Sequence, residues 1–137
     1  MKLSLKSAID KKKELTHDLK RLNDIMQTHN NNETSTVYNM QDLLAKVKIG
    51  NENLDALKLL ILVANVDGSM YEKIYRLRSL TTERGNLIAL KHRVTTTAKM
   101  SETEIDQEID LLNTGIRALQ GELDAFNLKT IIEYSPK

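Results

Sequence analysis

The sequence predicts an all-α protein, an elongated antiparallel bundle of four long helices with coiled-coil-like packing. Three observations predict it. Apolar residues recur at spacings of three and four along most of the chain. The 137 residues include one Pro and five Gly, so few positions forbid a helix interior. Polar turn signals near 29–38, 65–68 and 99–101 divide the apolar pattern into four stretches, and no β-sheet is expected.

The first stretch carries Leu5, Ile9, Leu15, Leu19, Leu22 and Met26 on one face. It ends in Thr28-His29-Asn30-Asn31-Asn32-Glu33-Thr34-Ser35-Thr36, a run of poor helix formers that reads as a flexible loop. A second helix starts near Asn39 as N-cap and runs to about Asn65, with Gly50-Asn51 as a kink or weak point. Asn65-Val66-Asp67-Gly68 is a turn signal, and Ser69-Met70-Tyr71-Glu72 has the form of a capping box opening helix three, which extends to about Ala98. Ser101-Glu102-Thr103-Glu104 is a second capping box opening helix four. There Ile105, Ile109, Leu112, Ile116, Leu119, Leu123 and Phe126 alternate steps of four and three, a heptad seam. Residues 1–127 are thus expected to form one bundle domain. Residues 128–137, with Ile131-Ile132 and Pro136, form an extended or mobile tail. Four thin helices of this kind gain buried apolar area by self-association, so a homo-oligomer is expected.

Composition removes several classes of function. No Cys is present, which excludes a disulfide scaffold, a thiolate metal site and a thiol nucleophile. The three His are too widely spaced to suggest a metal cluster, and neither a metal nor a cofactor is expected. A formal charge of +1, one Phe, four Tyr and no Trp speak against nucleic-acid binding. The longest apolar run, Leu59 to Ala64, is far below the roughly 20 residues of a membrane span. With no apolar leader pattern after Met1, a cytoplasmic protein is expected. Glycine-rich phosphate loops, HExxH, GxSxG and calcium loops are missing, so no enzyme is expected. Asp106 and Asp110 form an i,i+4 pair within a run of acids, which reads as a solvated face, and His92 between Lys91 and Arg93 reads as a surface residue.

Charge divides unevenly. Residues 69–99 carry seven basic groups against Glu72 and Glu83, whereas residues 101–137 carry three against eight carboxylates. Attraction between neighbouring helices explains this. Less ordinary are the polar residues that interrupt the apolar stripes. In helix two, Leu44, Val47, Asn51, Leu54, Lys58, Ile61 and Asn65 follow the four-three rhythm, so Asn51, Lys58 and Asn65 share one heptad position. In helix three, Arg84 and Lys91 fall within the sector of Leu77, Leu80, Leu87 and Ile88, and Lys73 falls at the same angle as Leu80. Lys12 and Asn23 interrupt helix one. None of these stripes has a carboxylate at its centre. Three resolutions are open: lysines lay their stems on apolar surface and reach water; Arg84 pairs with a flanking acid such as Glu83, Asp106 or Asp110; or the cations and amides hold an anionic ligand. Under the last, Arg84 and Lys91, about 10 Å apart along one face, bind it with Asn65, with Asn51 or Lys58, and with Arg76 completing the set.

Several segments together resemble the septicolysin-like (DIP-type) family of small bacterial helical proteins. They are the Met-Lys-Leu start, the polar loop before Asp42-Leu43-Leu44, the turn at Ala64-Asn65 and Asp67-Gly68, the run Ile74-Tyr75-Arg76-Leu77-Arg78-Ser79-Leu80, and the close in Ala125-Phe126-Asn127. Leu128, where the family pattern has an aromatic, and a shorter first loop depart from it. The resemblance implies an oligomeric helical bundle; no segment resembles a pore-forming one.

Two functions fit. One is a non-enzymatic oligomeric binding protein that captures a small anion, in its most specific form a nucleotide-type signal sequestered as in phage or mobile-element counter-defence. The other is a structural coiled-coil or scaffold protein that binds a partner protein through exposed helix faces.

Overall fold

A computed structural model describes residues 1–30 and 39–137. The fold is all-α, with four helices: α1 (Leu5–Asn30), α2 (Met40–Asp67), α3 (Tyr71–Lys91) and α4 (Glu102–Lys129). One departure from the expected helical content stands at the chain ends, where β1 (Lys2–Ser4) and β2 (Ile131–Glu133) pair antiparallel. The chain forms two compact units, Met1–Asn65 with Asn127–Lys137, and Val66–Phe126.

In the first unit, Ser4 caps α1 by accepting the Ser7 N–H at 3.1 Å. Asn39 caps α2, its Oδ1 accepting from the N–H groups of Gln41 (2.9 Å) and Asp42 (3.3 Å). The two helices share a core of Leu19, Val47 and Leu54, with Leu15, Leu22 and Met26 packed against it. Helix α2 runs through Gly50 without a break. Gly50 lies on the contact face, where an added Cβ would stand 2.6 Å from Leu19 Cδ2, so the missing side chain is what admits Leu19.

The position of Gly50 corrects the α2 seam. The buried series is Leu43, Val47, Leu54 and Leu57, with Gly50 between, so the second heptad position falls at 43, 50 and 57 and not at 44, 51 and 58. Leu44, Asn51 and Lys58 are exposed, while Asn65 is buried. Taking glycine as a breaker hides a seam residue.

The tail is extended and built into the fold. α4 continues to Lys129, and Ile131, Ile132, Glu133 and Tyr134 alternate exposed and buried. Strand register sets Leu3 opposite Ile132. The Leu5 N–H donates to the Thr130 carbonyl (2.7 Å), the Tyr134 N–H to the Met1 carbonyl (2.8 Å), and the Met1 ammonium meets Glu133 at 2.8 Å. Beyond it, the Lys137 N–H donates to Asn53 Oδ1 (2.9 Å) on α2, and its ammonium pairs with Glu52.

In the second unit, the capping box at Ser69 does not form. Ser69 has a φ of 55°, in the left-handed region, and stands one position before the N-cap, which is Met70, a residue with no side-chain cap bond. Helix α3 also stops at Lys91, seven residues short of Ala98, because Val94-Thr95-Thr96-Thr97 is a β-branched run that disfavours helix. Ser101 does cap α4, its Oγ accepting the Glu104 N–H at 3.2 Å and donating to Glu104 Oε1 at 3.3 Å. The α4 seam is buried or half-buried at every position from Ile105 to Phe126, while Leu111 outside it is exposed.

Candidate functional site

Helices α3 and α4 run antiparallel in one register, and the cations that interrupt the α3 stripe mark its rungs. Lys73 meets Glu122 at 3.0 Å, Leu80 lies against Gly115, Arg84 donates to Asn113 Oδ1 at 2.9 Å, and Lys91 meets Asp106 at 2.8 Å. The α4 seam itself carries no acid, but Asp106 and Glu122 each adjoin a seam residue, Ile105 and Leu123. Adjacency to the seam is what lets them reach across. Asp106 is therefore half-buried and engaged, not part of a solvated face.

Two of the three cations meet a carboxylate and one does not. The hydrogen bond and charge of Asp106, with a smaller contribution from Glu102, hold the Lys91 ammonium above its ordinary range. Lys73 is likewise matched by a carboxylate. Arg84 is half-buried, yet the partner it reaches is the neutral amide oxygen of Asn113, and no carboxylate lies within ion-pair distance among the described residues. Glu83, Asp106 and Asp110 do not serve it. An amide acceptor orients a guanidinium without cancelling its charge, and leaves its other N–H donors for water or a ligand.

The expected anion-binding set is divided. Arg76, Arg84 and Lys91 lie on α3 in the second unit; Asn51, Lys58 and Asn65 lie on α2 in the first. Arg76 is exposed, as are Asn51 and Lys58. Asp106 stands among the flanking acids open to Arg84 but pairs with Lys91; Asn113 and Glu122 are not legible as partners, because each stands one position beside the apolar rhythm and carries no motif of its own.

A second feature is apolar. On α2, Leu59, Leu62, Val63 and Val66 stand on successive turns of one face and keep between 46% and 59% of their surface exposed. Their spacing makes two parallel rows of i,i+4 pairs, Leu59 with Val63 and Leu62 with Val66. Soluble proteins seldom leave such a contiguous aliphatic patch to water.

Among the described residues no group of His, Asp or Glu is arranged to hold a metal ion, and no helix is long and apolar enough to cross a membrane. No protein-family model matches the chain, and neither a curated protein nor a solved structure shows significant similarity to it.

Proposed function

We propose that the chain is a non-enzymatic, self-associating interaction protein whose contact face is the C-terminal half of α2. The observation that carries this reading is the exposed stripe Leu59, Leu62, Val63 and Val66. A two-fold axis that reverses the helix exchanges Leu59 with Val66 and Leu62 with Val63. The face is therefore spaced to complement itself, and its i,i+4 ridges match the commonest mode of helix packing. The septicolysin-like resemblance points the same way, since it implies an oligomer. Sedimentation velocity on wild type and Leu62→Glu at micromolar concentrations tests the reading. Wild type is expected to exceed the 15.6 kDa monomer, and the variant to remain monomeric with unchanged helicity. A wild type that stays monomeric across the range overturns it.

A second reading, capture of a small anion such as a nucleotide-type signal, is favoured by Arg84, a half-buried seam cation without an acid. Under it, inorganic phosphate or a nucleotide raises the melting temperature of wild type by mass action. Arg84→Ala removes that rise and leaves the fold intact, because no carboxylate loses its partner. No anion-dependent rise in wild type refutes it.

A further inference from the structure

A groove of about 350 Å³ runs along one side of the α1/α2 pair, wholly within the first unit. Its floor is apolar: Leu15, Leu19 and Leu22 of α1 with Ile49 and Gly50 of α2. At Gly50 the absent side chain lets Leu19 pack directly against the α2 backbone beside the groove. Ile49 keeps 45% of its surface exposed there, a large aliphatic side chain that the fold leaves uncovered.

The rim is charged and unbalanced. Arg21 on α1 and Lys46 on α2 both line the groove, with Asp18 one turn before Arg21. Neither cation makes an ion pair with Asp18 or with any other carboxylate among the described residues. Two cations lining one apolar groove without an acid partner leave it positive, which favours a ligand carboxylate there. Asn53 closes the α2 side. Its carbonyl oxygen already accepts the Lys137 N–H, which leaves its NH₂ as a donor.

We propose that this groove binds a small amphipathic carboxylate, with its alkyl or aromatic body on the Leu15–Leu19–Leu22–Ile49 floor and its carboxylate between Arg21 and Lys46. The volume lies at the lower end of small-molecule pockets, about 300–1,000 Å³. Two cations against Asp18 leave one net positive charge, which matches a monoanion better than a polyphosphate. The groove shares no lining residue with the α2 stripe and does not include Arg84.

Titration calorimetry with octanoate, octanol and acetate as probes tests it on wild type, Arg21→Gln/Lys46→Gln, Leu62→Glu and Arg84→Gln. Octanoate is expected to bind wild type, with octanol and acetate each weaker by at least about tenfold, the scale of one charge-assisted hydrogen bond or of several buried methylenes. The double variant, altered only at exposed side chains, should keep its circular dichroism and lose at least about tenfold in octanoate affinity. Leu62→Glu and Arg84→Gln should bind as wild type does. Equal binding of octanoate and octanol, no loss in the double variant, or loss in Leu62→Glu or Arg84→Gln instead would overturn the proposal. So would a wild type that binds none of the probes.

Discussion

Gly50 and Leu19 show how one side chain fixes a helix contact. A methyl at position 50 would meet Leu19 at 2.6 Å, whereas at Gly85 and Gly121 it would meet nothing within 4 Å. All three glycines lie in helix interiors, where Ala is favoured by about 1 kcal/mol. Gly85→Ala and Gly121→Ala should therefore each raise stability by about 0.5–1 kcal/mol. Gly50→Ala should lower it, because overpacking costs about 1–3 kcal/mol and outweighs the propensity gain. Urea midpoints of the three variants check this; a Gly50→Ala as stabilising as Gly85→Ala would show that Leu19 is not held. From sequence alone Gly50 carries the opposite meaning, since a helix-interior glycine signals weakness and only a partner helix shows that it makes room. Arg84 is a similar case. Its place among leucines is legible, but its partner is an amide 29 positions away.

At the scale of the element, legibility depends on whether a signal is local. Asn39 and Ser101 act as caps because a cap needs only its own turn, and the α4 seam is readable because each of its positions is apolar. Ser69 has the same local signature and fails, because the preceding turn places it at positive φ. The β1/β2 pair is invisible for a different reason: its partners are separated by nearly the whole chain, and three residues are too few for an alternating pattern to declare itself. That pair has a consequence at high pH. Tyr134 is buried, and burial pushes its phenol above the usual value near 10; Lys91 is held above its ordinary range by Asp106. In both groups the folded state keeps the proton longer than the unfolded chain. Their contribution is complete below the ordinary values and is lost as pH rises through the raised ones. Chemical denaturation from pH 8 to above the ordinary phenol value of about 10 should show stability falling at the upper end, with a shallower fall in Tyr134→Phe. Equal slopes in the two proteins would mean that Tyr134 ionises as freely in the folded state as in the unfolded chain.

For the whole molecule, the all-α class and the four helices are legible in the sequence because periodicity repeats over many turns. Function is less so, because it rests on what the helices leave uncovered. The run Leu59 to Ala64 holds more apolar residues than one core-facing stripe needs and so points to a second contact surface, but only the fold shows which of its faces the core leaves uncovered. Here Leu57 is buried while Leu59, Leu62, Val63 and Val66 stay in water. Self-association through that face can be measured directly, because the chain has no cysteine. Leu62→Cys introduces the only thiol, at the centre of the stripe, and Leu111→Cys introduces one at an exposed position outside it. A disulfide needs Cβ atoms about 3.5–4.5 Å apart, so it forms readily only where two copies already meet. Under mild oxidation at micromolar concentration Leu62→Cys should become a covalent dimer and Leu111→Cys should not. No dimer from Leu62→Cys, or equal dimer from both, would contradict self-association through α2.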